Sequence, residues 1–317
     1  MQKDPKTIIQ YINAINEFEI STNFKNFKTF NENQAVNFIA YITNKKNAKT
    51  GRIVSKQLIL HYTSHVRIFF TWLTNENGFK NIKKNDVAYI VLSKNETKRG
   101  GMSSEKEKYT VAEILSTIRI MPNKTQIQRR DKALISLAFL TTPRITALKD
   151  ALIEDIKYDK NHNCYCFIQK HGTKNGKLIK SFFMANLQDI IDNVTNWQKE
   201  LLELDFDKKD PLFPHINPSF DKNSNSVFVL TKEIIKEPQT LRNIFKKIFI
   251  TNNLPYNNPH SFRKTLTRFI MDTKDTVALF AFDENIGHEL NLDFLLSSYG
   301  RGSESENAEA LNNIRFE

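Results

Sequence analysis

The chain has 317 residues, a formal net charge of +11, 40% hydrophobic and 26% charged residues. That balance excludes a wholly disordered chain and gives enough length for one or two hydrophobic cores. No apolar run approaches the ~20 residues needed to cross a bilayer.

The first elements carry most of the charge. Residues 1–108 hold 18 Lys+Arg against 9 Asp+Glu, and residues 109–317 hold 28 against 26. A basic segment of this kind suits a polyanion, either nucleic acid or an acidic membrane surface. A Lys/Asn/Ile/Phe-biased genome gives the same composition without any partner. The opening residues are interrupted by charges and amides, so no secretory signal core is expected. Two cysteines cannot staple a chain this long, which points to a reducing, cytoplasmic setting.

Apolar residues fall at helical spacing over 34–44 and 55–73. The second helix is expected to stop at 75–77, with Gly78 suited to a C-terminal cap. His61 and His65 are four apart on it, but no Glu follows His61, so metalloprotease chemistry is absent. With Lys56, Tyr62, Thr63 and Arg67, that helix can face phosphates or base edges, or be an ordinary amphipathic helix. The many phenylalanines read as core. Residues 1–93 are therefore expected to form a small basic helical bundle. Residues 94–108, with Gly100, Gly101, two serines and many charges, have linker composition.

A second domain is expected over 109–317, mainly helical with a small antiparallel sheet inserted early. Thr110 and Glu113 form a capping box that opens a helix reaching about Ile120. Residues 131–140 read as a buried helix. Arg144 follows where that helix ends and another begins, where an arginine can also cap carbonyls. Residues 164–168 and 178–184 read as strands around a turn at 172–176. His162, Cys164 and Cys166 alternate and, with His171, form a four-ligand zinc candidate. Zinc knots favour CxxC turns over a continuous strand, which argues against it. From Gln188 onward helices are expected to dominate, interrupted at 211–218 and 252–259. His260 and Arg263 are three apart near a helix start marked by Pro259, where anions are favoured. His288 and Tyr299 follow, eleven apart. The tail beyond Tyr299 has acidic and small residues and helix-forming content at 308–314, and a frayed terminus is one of two readings, the other being packing on a neighbouring protomer.

No single island is specific, but their order is: Arg144, a hairpin lysine, His260-x-x-Arg263, Gly287-His288, Tyr299. This order over 109–317 resembles the tyrosine recombinase (phage integrase) family. PHSFRKTL, IGHE…SSYG and TTPRITALK resemble its three motif blocks. The resemblance implies an N-terminal helical core-binding (SAM-like) bundle and an α+β catalytic domain. Three details depart from the family pattern. Thr142 stands where a glycine is frequent, Ala147 where an acid is common, and the interval from His288 to Tyr299 is slightly long. Lys174 fits the hairpin position best, with Lys170 and Lys177 as neighbours a small realignment would substitute.

The resemblance also implies a chemistry. A tyrosine hydroxyl, with a pKa near ~10, is a poor nucleophile unaided. Arg144 and Arg263 would hold the non-bridging phosphate oxygens and stabilise transition-state charge. Tyr299 would attack, leaving a 3′-phosphotyrosyl link and a free 5′-hydroxyl. Lys174 would protonate the leaving oxygen, His260 would accept the tyrosine proton and His288 would donate to the phosphate. No cofactor and no metal are called for. The expected partner is duplex DNA at recombination sites, clamped by a homo-tetramer that integrates or excises a mobile element, in the bacterial nucleoid rather than at a membrane. Type IB topoisomerase activity and a catalytically silent DNA-binding protein of the same fold are the alternatives.

Overall fold

The computed structural model describes residues 5–92, 109–170, 178–184, 186–220 and 226–287. The chain forms two compact units that divide between Lys106 and Glu107. Among the described residues, no helix is long and apolar enough to cross a membrane.

The first unit is helical: α1 (Pro5–Ser21), α2 (Glu32–Asn44), α3 (Lys56–Leu73) and the short α4 (Lys84–Ala88). Side-chain caps set the starts of α2 and α3. Asn31 accepts from the Gln34 amide, and Ser55 from the Leu58 amide. The core is built on phenylalanine. Phe18, Phe30, Phe38 and Phe70 are all at most 4% exposed, and the Phe30 and Phe70 rings stack 4.0 Å apart. Two expectations are corrected. The α3 helix ends at Leu73 with Thr74 as its cap, so Gly78, at φ +86°, serves a later turn instead. Thr63 is buried and donates to the Ile59 carbonyl, so it faces the core; Lys56, His61 and Arg67 on the same helix are exposed.

The second unit starts with α5 (Val111–Ile120), whose Thr110–Glu113 capping box is formed on both sides. Next comes α6 (Gln126–Thr141). It begins earlier than hydrophobicity indicates, because Thr125 and Gln128 form a second capping box. From Ala133 to Thr141 every residue of α6 is buried, and the helix packs against α5, α8 (Gln188–Glu203), α10 (His260–Asp272) and strand β3 (Ile179–Phe182). That makes α6 the axis of the unit. A short α7 (Ile145–Lys149) leads into the sheet.

The sheet has the order β1–β2–β3, antiparallel throughout, with β1 (Ile156–Asp159) and β2 (Cys164–Gln169). A second hairpin, β4 (Pro214–Phe220) with β5 (Ser226–Ile234), occupies part of the region expected to be helical. Pro214 and Pro218 read as breakers, yet a two-stranded ribbon has open edges where a missing N–H costs little. The last described helices of the unit are α9 (Pro238–Thr251), α10 and α11 (Thr276–Asn285).

The zinc candidate does not assemble as a strand face. His162 lies in the turn before β2, with Nδ1 3.1 Å from Asp159 Oδ2. Burial raises the pKa of both the Cys164 and Cys166 thiols, away from the thiolate a metal needs. Among the described residues no metal-holding group of three His, Cys, Asp or Glu occurs. His171 lies outside the described residues.

Candidate active site

Arg263 is the centre of the arrangement. It lies on the first turn of α10 and is 2% exposed. Its Nε and Nη2 donate to the Thr142 carbonyl at 3.2 and 2.7 Å, and Nη2 also donates to the Ile286 carbonyl at 3.2 Å. Thr142 is two residues before Arg144, and Ile286 two residues before His288. One guanidinium therefore ties together three sequence islands that lie more than a hundred residues apart at their extremes. Charged donors to neutral carbonyls are the stronger class of hydrogen bond, so this clamp fixes the fork firmly.

Local structure explains why the chain passes there. Tyr109 holds the approach to α10: its hydroxyl donates to the Pro255 carbonyl at 2.6 Å and accepts from the Asn257 amide at 2.9 Å. Its own carbonyl accepts from Thr265 Oγ1 at 2.9 Å. Pro259 precedes α10 and His260 is its first residue, exposed to solvent. Arg144 is the N-cap residue of α7 and is half-buried. Its side chain caps nothing and holds no hydrogen bond or ion pair among the described residues, so the capping role considered from sequence is not the one it plays.

The carbonyl that Arg263 uses belongs to a strained residue. Thr142 ends α6 in the left-handed region, at φ 39° and ψ 48°. A β-branched side chain is disfavoured there, whereas glycine is at ease, which gives the family's frequent glycine a physical reason. The Thr142 hydroxyl is also buried without a hydrogen bond. Thr142→Gly is expected to raise stability by about 1 kcal/mol, or roughly 2–4 °C in Tm. An equal gain in Thr142→Ala, which keeps the strain, would assign the effect to the hydroxyl instead.

The hairpin island is anchored from β3. Strands β2 and β3 pair with Gln169 opposite Ile179, so residues 170–178 connect them and Lys174 is midway along that connection. Lys170 Nζ lies 2.6 Å from Glu154 Oε1 and 3.0 Å from Asp155 Oδ1. Those carboxylates raise its pKa, which opposes proton donation. Lys180, on β3, is paired with Asp159. Both hairpin-base lysines thus have structural partners. Lys174 and Lys177 lie outside the described residues, as do His288, Tyr299 and the 308–314 tail.

Among the described residues, Asp283 is a buried carboxylate that feels the Arg263 charge. It is 2% exposed, and burial raises its pKa while the Arg263 charge opposes that rise. The folded state then keeps a proton that the unfolded chain releases near pH ~4, so stability falls as pH rises through the folded value. Asp283→Asn should remove that slope. Its Tm is expected to gain on wild type as pH goes from about 4 to 7, and a constant difference across that range would contradict the reading.

No family model matches the sequence, and no curated protein does. Solved structures do match. The XerH site-specific recombinase, in a post-cleavage complex with palindromic difH substrate, aligns at TM-score 0.64 and 15% identity. That alignment covers 97% of this chain and 79% of the other. The Tn1549 transposon integrase with transposon right-end DNA aligns at 0.59 and 12% identity, over 98% and 94%. A lambda integrase dimer on a COC′ core site aligns at 0.53 and 13% identity, over 95% and 91%. The chain has the tyrosine recombinase fold. Mostly helical, with small antiparallel sheets, it matches the architecture the motif order implied. Within the recombinase fold, hydrogen bonds among the described residues join Thr142, Arg263 and Ile286, and join strand β3 to Asn285. Of the stitching residues, Ser181, Asn285 and Ile286 were missed by motif reading: Ile286 acts through its main-chain carbonyl, while the Ser181 hydroxyl and the Asn285 side-chain amide meet partners more than a hundred positions away.

Proposed function

We propose that this protein is a DNA recombinase that cuts and rejoins duplex DNA through Tyr299. The observation that carries the reading is the Arg263 clamp, which holds the Thr142 and Ile286 carbonyls, each two residues before Arg144 or His288 in sequence, within a recombinase fold. Two arginines, always protonated, suit a phosphodiester held by its non-bridging oxygens. Tyr299 attacks the phosphorus, forming the phosphotyrosyl bond at the 3′ side as the P–O5′ bond breaks. His260 accepts the phenolic proton, Lys174 protonates the departing 5′-oxygen, and His288 donates to the phosphate. The covalent link conserves the bond energy, so rejoining needs no nucleotide cofactor.

The basic first unit supports phosphate contacts along the duplex, and binding is expected to weaken steeply with salt. Strand exchange between two sites calls for a tetramer, and integration or excision of a mobile element is the biological setting that fits. Purified protein mixed with sheared DNA of the source genome should yield SDS-resistant adducts, and sequencing the captured fragments identifies the site. Absence of any captured fragment would overturn the reading.

A further inference from the structure

Strand β3 is an edge strand, yet its outer edge is not left bare. The Asn285 side chain covers it as a short strand would. Its Oδ1 accepts from the Phe182 amide at 2.6 Å, and its Nδ2 donates to the Phe182 carbonyl at 3.0 Å. The Asn285 carbonyl accepts from Ser181 Oγ at 2.5 Å, and that hydroxyl in turn accepts from Gln169 Nε2 at 2.8 Å. Two residues on, Gly287 sits at φ +66°, and a Cβ there would meet Ile179 Cδ1 at 2.3 Å. The turn that ends α11 is thus closed onto β3 at three successive points. The middle residue of that turn, Ile286, supplies the carbonyl that holds Arg263.

A helix-terminal asparagine is ordinarily a local cap. Here both functional ends of the amide reach a residue 103 positions away in sequence. Neither interaction serves the α11 helix itself, and a single amide satisfies a backbone donor and a backbone acceptor that otherwise need water. The consequence is mechanical. Any displacement of the β3 edge moves the Ile286 carbonyl, and so changes the direction in which the Arg263 fork is held.

We propose that Asn285 is a positioning residue, which fixes β3 to the turn that aims Arg263 and so sets the arginine's grip on a scissile phosphate. This rests on the reaction proposed above. The charge on the phosphate gives the proposal a specific test. Replacing one non-bridging oxygen by methyl gives a neutral methylphosphonate, which no longer needs an arginine to offset its charge. A defect that acts through Arg263 shrinks on that substrate, whereas a general loss of fold does not.

The experiment uses full-length protein and nicked duplexes of the captured site, with either a phosphodiester or a methylphosphonate at the scissile position. Single-turnover adduct formation is read at saturating protein, and DNA affinity is measured separately. Asn285→Ala is expected to lose about tenfold on the phosphodiester with unchanged affinity, and to come within about twofold of wild type on the methylphosphonate. Ser181→Ala, which removes the second leg of the strap, should show the same pattern more weakly, and it carries the comparison if Asn285→Ala does not fold. Equal losses on both substrates, or no loss on the phosphodiester, would overturn the proposal. A wild type that forms no adduct on either substrate would instead overturn the reaction itself, and the positioning role with it.

Discussion

Arg263→Lys is expected to slow strand cleavage by about 10²–10³-fold while leaving most DNA affinity intact. Lysine keeps the charge but not the geometry. The guanidinium reaches the Thr142 and Ile286 carbonyls together and does so from a fixed plane. An ammonium is a single point with three rotatable donors, and aiming it at two carbonyls leaves it badly placed for a phosphate. Because DNA affinity rests on many backbone contacts, losing one alignment changes the rate far more than binding. Arg263→Ala goes further: it empties one of the largest fully buried side-chain volumes and strands two carbonyls. A loss of about 3 kcal/mol or more is expected for it. Single-turnover adduct formation with a parallel affinity measurement separates the two variants. A lysine variant that cleaves at the wild-type rate would remove Arg263 from the reaction.

The largest stability effect is expected at the neighbouring residue. Phe262 is 1% exposed, and its ring lies 5.6 Å from Phe249, 5.7 Å from Phe245 and 6.1 Å from Phe139. With Leu266 it packs α10 onto the core, on the opposite face of the turn that presents His260. Phe262→Ala removes that anchor and leaves a cavity, with an expected cost of about 3–5 kcal/mol. Chemical denaturation of the second unit's transition measures it. A cost below about 1 kcal/mol would mean α10 is held chiefly by polar contacts such as those of Tyr109.

Motif order alone pointed to the fold that the solved structures share. Helices with side-chain caps were legible too: the Thr110–Glu113 box forms as read. Where boundaries were missed, the reason is local. The Thr125–Gln128 box lies upstream of the hydrophobic run of α6, so the apolar pattern started the helix late. The β4–β5 hairpin was hidden by Pro214 and Pro218, which only an open-edged ribbon accommodates. The glycine-to-threonine departure at 142 was visible, but its meaning required the backbone: a left-handed residue whose carbonyl serves Arg263. Asn285 gave no sequence signal at all, since its side chain meets main-chain atoms of β3 about a hundred positions away.

The net charge of +11 also gains a location. Most of the excess belongs to the first unit, where Lys56 and Arg67 are exposed on α3. In the nearly neutral remainder, Arg263 is placed by a carbonyl clamp and Arg144 at a helix start, features that the sum of charges does not register.

The most direct measurement is the identity of the covalent bond. A nicked suicide duplex carrying the captured site, allowed to react with the full-length protein and digested with protease, should give a single modified peptide. Mass spectrometry is expected to place the nucleotide on Tyr299, with a free 5′-hydroxyl on the released strand and no adduct from Tyr299→Phe. An adduct on another residue, or one that persists undiminished in Tyr299→Phe, would contradict the account.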